Sequence, residues 1–182
     1  MSNLLDINFL YNKYYKGQDK LRATVMIHSD QVARKALRIL KEKKLSLDPR
    51  EVFCAAMLHD IGVVMCDAPG IHAHGSLPYL QHGIEGKKIL EENGLASIAN
   101  VCARHTGTGI TKSEILKNNL PLPPQDFIPQ TLLEKLICYS DKFFSKSQDL
   151  KKEKTIDEVI AQMEKFGPDS LNRFMELHKL FG

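Results

Sequence analysis

Six side chains able to hold a metal ion fall on the inward faces of apolar, helical-looking segments. In AAMLHDIGVV, residues 55 to 64, His59 and Asp60 stand side by side at the end of an apolar run. Burying such groups without partners costs on the order of several kcal/mol, or shifts their pKa until the charge is lost. Helical neighbours recur at three, four and seven residues, so a polar residue within such a series is aimed at the core. His28 is the only strongly polar member of the stripe Leu21, Val25, His28, Val32, Ala36 and Ile39. His105 follows Ile98, Val101 and Cys102, and Asp141 lies among Leu133, Ile137 and Phe144. His82 shares a weaker stripe with Tyr79, Gly86 and Ile89.

Taken singly, an inward histidine reads as a hydrogen-bonded core residue and an inward aspartate as a cap or half of an ion pair. Six together, with no matching inward Arg or Lys, would leave several buried charges uncompensated. A divalent cation takes imidazole and carboxylate together and offsets their desolvation. The pattern therefore predicts metal binding. A GxSxG elbow, a Walker loop and a Cys-His arrangement are all absent from the sequence, so no side-chain nucleophile competes with that reading.

The elements that must position these residues are almost all helical. The periodicity predicts helices over 4–15, 20–44, 49–62, 76–92, 95–105, 111–118, 131–147, 155–166 and 169–180. Asp48-Pro49-Arg50-Glu51 supplies an N-cap with proline at the first helical position, and Thr111 with Glu114 and Thr155 with Glu158 have capping-box spacing. No alternating strand stands out. Cys66–Gly75 and Leu120–Gln130 are rich in Gly or Pro and read as loops bordering a site. No repeat or linker divides the chain, so residues 1–182 are expected to form one all-α domain.

Composition narrows the class further. The chain is 43% hydrophobic and 26% charged, and no apolar run approaches the ~20 residues of a membrane span. The start MSNLLDINFLYNKYYKGQ lacks the pattern of a secretory signal, which predicts a cytoplasmic protein with no membrane partner. Cys54, Cys66, Cys102 and Cys138 are widely spaced and are expected to be reduced, buried hydrophobes. The net charge is +3, and the runs Lys41–Lys44 and Lys151–Lys154 read as solvated faces, not as a nucleic-acid site.

In order and spacing, His28, the pair His59-Asp60 within HDIG, and Asp141 within CYSDKF resemble the HD-domain superfamily of metal-dependent phosphohydrolases. The resemblance covers about residues 20–150, leaves 151–182 as a C-terminal helical extension, and implies a bundle of eight or nine helices. His82 and His105 fall where a two-metal branch carries extra histidines. That branch includes bacterial hydrolases that split dinucleoside tetraphosphates symmetrically and, more distantly, di-iron oxygenases. The resemblance implies two divalent transition-metal ions, iron first, with Mn, Co, Ni or Zn as alternatives. His28, His59, Asp60 and Asp141 would hold one ion, and Asp60, His82 and His105 the other.

His59 and Asp60 then become the catalytic pair, and a hydroxide bridging the two ions would attack the phosphorus of a nucleotide or other small phosphate ester or anhydride. Many relatives carry a lysine just after the HD pair, where this chain has Val63 and Val64. A substrate-binding cation must come from Lys87, Arg104 or Lys142, each also readable as a surface residue. His72 and His74 are expected at the rim or simply in solvent, and His178 is expected to be ordinary. The loops 66–75 and 106–130 would select substrate and exclude water, HTGTGIT supplying backbone amides and the proline-rich segment a lid. Two rivals remain: a di-iron oxygenase using the same ligands, and a non-catalytic nucleotide-binding module.

Overall fold

The computed structural model describes residues 4–146, 150 and 152–182. Nine α-helices are present among them: α1 (Leu4–Tyr14), α2 (Asp19–Glu42), α3 (Pro49–Leu58), α4 (His82–Glu92), α5 (Ala96–Arg104), α6 (Lys112–Lys117), α7 (Leu132–Asp141), α8 (Ile156–Glu164) and α9 (Pro168–Phe181). The fold is all-α, as the periodicity predicts. Residue 147 of the expected 131–147 helix and Lys151 of the second lysine run lie outside the described residues.

The expected starts form for the expected reasons. The Asp48 carboxylate accepts the Arg50 amide at 2.8 Å, with Pro49 opening α3. Thr111 with Glu114 and Thr155 with Glu158 close reciprocal capping boxes on α6 and α8. The inward stripe of α2 is buried along its length. One apolar core runs from Ile7 of α1 to Phe181 of α9, and Ala103, Ile115 and Phe127 centre a smaller one.

Three boundaries differ from the sequence reading by more than two residues. Helix α3 stops at Leu58, four residues early, and the chain tightens into a 3-10 turn over Ile61–Met65. That turn packs on α4 so closely that a Cβ at Gly62 would stand 2.2 Å from the Gly86 amide nitrogen and the His82 carbonyl. The glycine of HDIG is thus a condition of the packing. Helix α4 begins at His82, because Pro78 holds Leu77 in extended conformation and a 3-10 turn, Tyr79–Gln81, follows. Helix α7 ends at Asp141, with Lys142 as its cap.

The segment read as pure loop contains a small sheet, which corrects the expectation of no strand. β1 (Cys66–Ala68) lies between β2 (Ala73–His74) and β3 (Leu77–Pro78), antiparallel to β2 with Asp67 opposite His74 and parallel to β3 with Cys66 opposite Leu77. Strands of two or three residues are too short to display a period of two. All four cysteines are buried. No helix among the described residues is long and apolar enough to cross a membrane.

Candidate metal centre

Five elements deliver one cluster. His28 comes from the middle of α2, His59 and Asp60 from the turn after α3, His82 from the first residue of α4, His105 from the cap of α5, and Asp141 from the last residue of α7. Helix ends carry five of the six, so side chains from different directions can meet without crowding the helices. Asp60 is completely buried and the other five are at most 8% exposed.

The donors divide into two sets that share Asp60. Oδ2 of Asp60 lies 3.3 Å from His28 Nε2 and 3.1 Å from His59 Nε2. Asp141 Oδ1 completes that set at 2.9 Å from His28 Nε2 and 3.5 Å from His59 Nε2. On the other side, Asp60 Oδ1 lies 3.5 Å from His82 Nε2 and 3.4 Å from His105 Nε2. Within each set the donor atoms are all within 4.8 Å of one another.

The backbone fixes which nitrogen faces the cluster. Nδ1–H of His59 donates to the Ala56 carbonyl at 2.6 Å, that of His82 to Tyr79 at 2.7 Å, and that of His105 to Cys102 at 2.7 Å. A carbonyl can only accept, so in each neutral ring the lone pair sits on Nε2, the nitrogen aimed inward. His82 and His105 thereby point two lone pairs at each other across 3.1 Å. Two bare lone pairs repel, and a cation between them removes the repulsion. His59 Nε2 and Asp60 Oδ1 are buried with no hydrogen-bond partner. The donor set therefore fits divalent ions: orphaned imidazole nitrogens and a carboxylate, aimed at common points.

Electrostatics supports the same reading. Burial, reinforced by its neighbour His105, pushes His82 down to about 3, and burial also lowers His105, so both rings are neutral. Burial drives His59 down as well, yet the carboxylates of Asp60 and Asp141 outweigh it and raise it to about 9. Burial disfavours the charged forms of Asp60 and Asp141. Lys146 and the histidines around Asp60, and Lys142, His28 and His59 around Asp141, outweigh that and hold both well below the ordinary carboxylate value.

Of the cations expected near substrate, two stand elsewhere. Arg104 is clamped by both carboxylate oxygens of Glu134 at 3.1 and 3.0 Å, and Lys87 pairs with Glu91 one turn along α4. Lys142 does reach the site and is buried there, against the reading as a surface residue. Its ammonium lies 2.7 Å from Asp141 Oδ2 and donates to the His105 carbonyl at 2.9 Å. His72 and His74 are solvent-exposed, and it is Gly70 and Ile71 of their loop that line the neighbouring cavity.

The second expected loop takes a different part. Thr108 of HTGTGIT bonds the Ser170 carbonyl, Arg173 holds the Gly109 carbonyl, and the proline-rich segment closes the small core through Phe127. These contacts fasten it to α9 and α6, and it does not line the cavity.

Two contributions escaped the sequence. Lys146 Nζ sits 2.5 Å from Asp60 Oδ2 and 3.3 Å from His28 Nε2. It follows Asp141 by five residues and reaches back from beyond the end of α7, where no helical stripe could announce it. Tyr11 and Tyr15 of α1 brace the turn from below: Tyr11 donates to the Met57 carbonyl at 2.9 Å, and Tyr15 to the carbonyls of Asp60 and Ile61 at 3.3 and 3.1 Å.

The family profile described as HD domain matches residues 25–145, two thirds of the chain and all six donors. The chain belongs to the HD domain family. A similar chain is an uncharacterized protein of Methanocaldococcus jannaschii, 35% identical over 127 residues, covering 69% of this chain and 65% of that protein. Two others are tRNA (cytidine(56)-2'-O)-methyltransferases. That of Thermoplasma volcanium is 29% identical over 80% of this chain and 38% of its own length, and that of Picrophilus torridus is 31% identical over 66% and 31%. The chain thus spans less than two thirds of these curated relatives. The HD fold is shared with the crystal structure of the HD domain of the L. monocytogenes phosphodiesterase PgpH, with a TM-score of 0.55, 16% identity and 94% of each chain covered.

Proposed function

We propose that this HD domain is a metal-dependent phosphohydrolase that cleaves a small phosphate ester or anhydride. The observation that carries the reading is Asp60: one fully buried carboxylate whose two oxygens face two separate sets of imidazole nitrogens. His28, His59, Asp60 and Asp141 would hold one divalent ion and Asp60, His82 and His105 a second, with iron the first candidate. Bound there, two ions supply an activated water and stabilise the charge that develops on phosphorus. The residues do the rest. Carbonyls of Ala56, Tyr79 and Cys102 lock three rings in the metal-binding tautomer, and Lys142 fixes Asp141 through its second oxygen.

The deciding experiment is turnover without oxidant. Protein loaded with Mn(II) and kept strictly anaerobic is expected to release phosphate from a panel of nucleotides and phosphate esters, and Asp60→Ala is expected to abolish it. Oxygen uptake stoichiometric with product, lost on manganese substitution, would instead establish the oxygenase. Nucleotide binding with no turnover under any metal would establish the binding module. A second reading narrows the substrate to a phosphate carried on tRNA, supported by the two tRNA methyltransferase relatives. Adding tRNA fragments with terminal phosphates to the panel tests it.

A further inference from the structure

A cavity of about 370 Å³ opens beside Asp141. Its lining combines the apolar residues Ala68, Ile71 and Phe144 and the Tyr79 side chain with three cationic residues, Lys142, Lys146 and Lys154. Lys142 and Lys146 are paired with the ligand carboxylates Asp141 and Asp60. Lys154 is different. Its ammonium donates to the Gln162 side-chain oxygen at 2.8 Å and to the Lys142 carbonyl at 3.4 Å, both neutral acceptors, and it has no carboxylate partner among the described residues. Burial, with the neighbouring ammonium groups of Lys142 and Lys146, pulls its pKa down against the more distant carboxylates of Asp141 and Glu158.

Among the described residues, three cations against two carboxylates leave the lining positive, so the cavity calls for an anion. Val63 and Val64 are buried and offer no cation beside the HD pair. Lys146, Lys154 and Gln162 all lie beyond the residues matched by the family profile, 25–145, so this wall belongs to the C-terminal part of this chain. The Lys146 ammonium also occupies the Asp60 oxygen that the first ion would use. A divalent ion on that oxygen repels the ammonium toward the cavity that Lys146 already lines.

Resting on the phosphohydrolase reading, we propose that Lys146 and Lys154, the latter oriented by Gln162, form a phosphate-binding subsite selecting a small phosphomonoester, with its organic group against Ala68, Ile71 and Phe144. A monoester carries a second negative charge that a diester lacks, and that charge answers the unpaired ammonium. The volume sits at the low end of ligand pockets, roughly 300–1,000 Å³. It suits a molecule no larger than a nucleoside monophosphate and does not enclose a dinucleoside tetraphosphate.

The test is titration calorimetry on Mn(II)-loaded protein with inorganic phosphate and with dimethyl phosphate, alongside KM and kcat for a phosphomonoester. Lys154→Gln is expected to weaken inorganic phosphate about tenfold, with dimethyl phosphate hardly affected and KM rising while kcat holds. Lys154→Arg should stay near wild type, as should Lys87→Gln on the far side of α4. Should Lys154→Gln melt early, Gln162→Leu serves in its place, with a loss of about threefold for phosphate alone. Unchanged phosphate affinity in these variants, or an equal loss for both probes, overturns the subsite. The two readings fail separately: phosphate-selective loss in a protein that hydrolyses no ester keeps the subsite, whereas intact hydrolysis with variants that bind like wild type removes it.

Discussion

Lys146→Met is expected to weaken the metal-free protein and tighten its hold on metal. In the structure the Lys146 ammonium lies 2.5 Å from Asp60 Oδ2 and serves as the counter-charge of a carboxylate with no solvent exposure. At an effective dielectric constant of about 20, the gross attraction at that distance is about 7 kcal/mol, most of it offset by desolvating the two charges. Breaking such a pair from one side costs about 3–5 kcal/mol, because the carboxylate stays behind. Asp60 still keeps His28 and His59 within 3.3 Å, so a loss near 3 kcal/mol is the reasonable figure, roughly 6–12 °C in melting temperature at this size.

With metal bound the expected loss is much smaller, since a divalent ion held by Asp60 would itself neutralise the carboxylate in place of the ammonium. The difference reappears in binding: removing the competitor is expected to strengthen Mn(II) or Zn(II) affinity roughly tenfold to a hundredfold. Scanning calorimetry with chelator and with metal reads the first effect, and competition against a fluorescent chelator reads the second. A Lys146→Met protein with an unchanged chelator-treated melting temperature and weaker metal binding would refute the reasoning. It would show that the ammonium supports the bound ion instead of competing with it.

Other expectations follow from the same geometry. His105→Ala removes an imidazole from the second set alone, so metal content should fall from about two ions per chain to about one, whereas His59→Ala should lose most of both; elemental analysis showing equal content in wild type and His105→Ala would make His105 a core residue. Gly62→Ala forces a methyl into the Gly86 and His82 backbone at 2.2 Å and should cost about 3 kcal/mol in urea unfolding, a loss under about 1 kcal/mol being contrary. Glu114 pairs with Arg173 at 2.7 Å and, against its partial burial, this bond and those from Thr111 lower its pKa below 4.5. A depressed carboxylate stabilises above its unfolded pKa and loses that contribution as pH falls through the folded value. Glu114→Gln should therefore cost about 1 kcal/mol at pH 7 and progressively less as pH falls below 4.5, which a pH-independent loss would contradict.

What was legible in the sequence is what repeats along one helix. His28, His105 and Asp141 sit in series of apolar neighbours, and a period of 3.6 turns such a series into a direction in space. Asp48, Thr111 and Thr155 are equally local: each side chain caps a backbone amide two or three residues away, so the start of a helix is written next to itself. The early end of α3 is not local. Nothing between Leu58 and Met65 forbids another turn of helix, and the chain bends because Gly62 must lie against Gly86, a contact between segments far apart in sequence. The cations show the same division. Of the candidate cations Lys87, Arg104 and Lys142, only Lys142, directly after Asp141, reaches the site, while the other two pair with Glu91 and Glu134. Lys146 and Lys154 are brought to Asp60 and the cavity by the path of the chain between α7 and α8. A residue whose position depends on where a loop returns carries no periodic signature. The part of an HD site that selects substrate is for that reason harder to read than the part that binds metal. Ligands must be held rigidly by helices, while the groups meeting a substrate need only reach it.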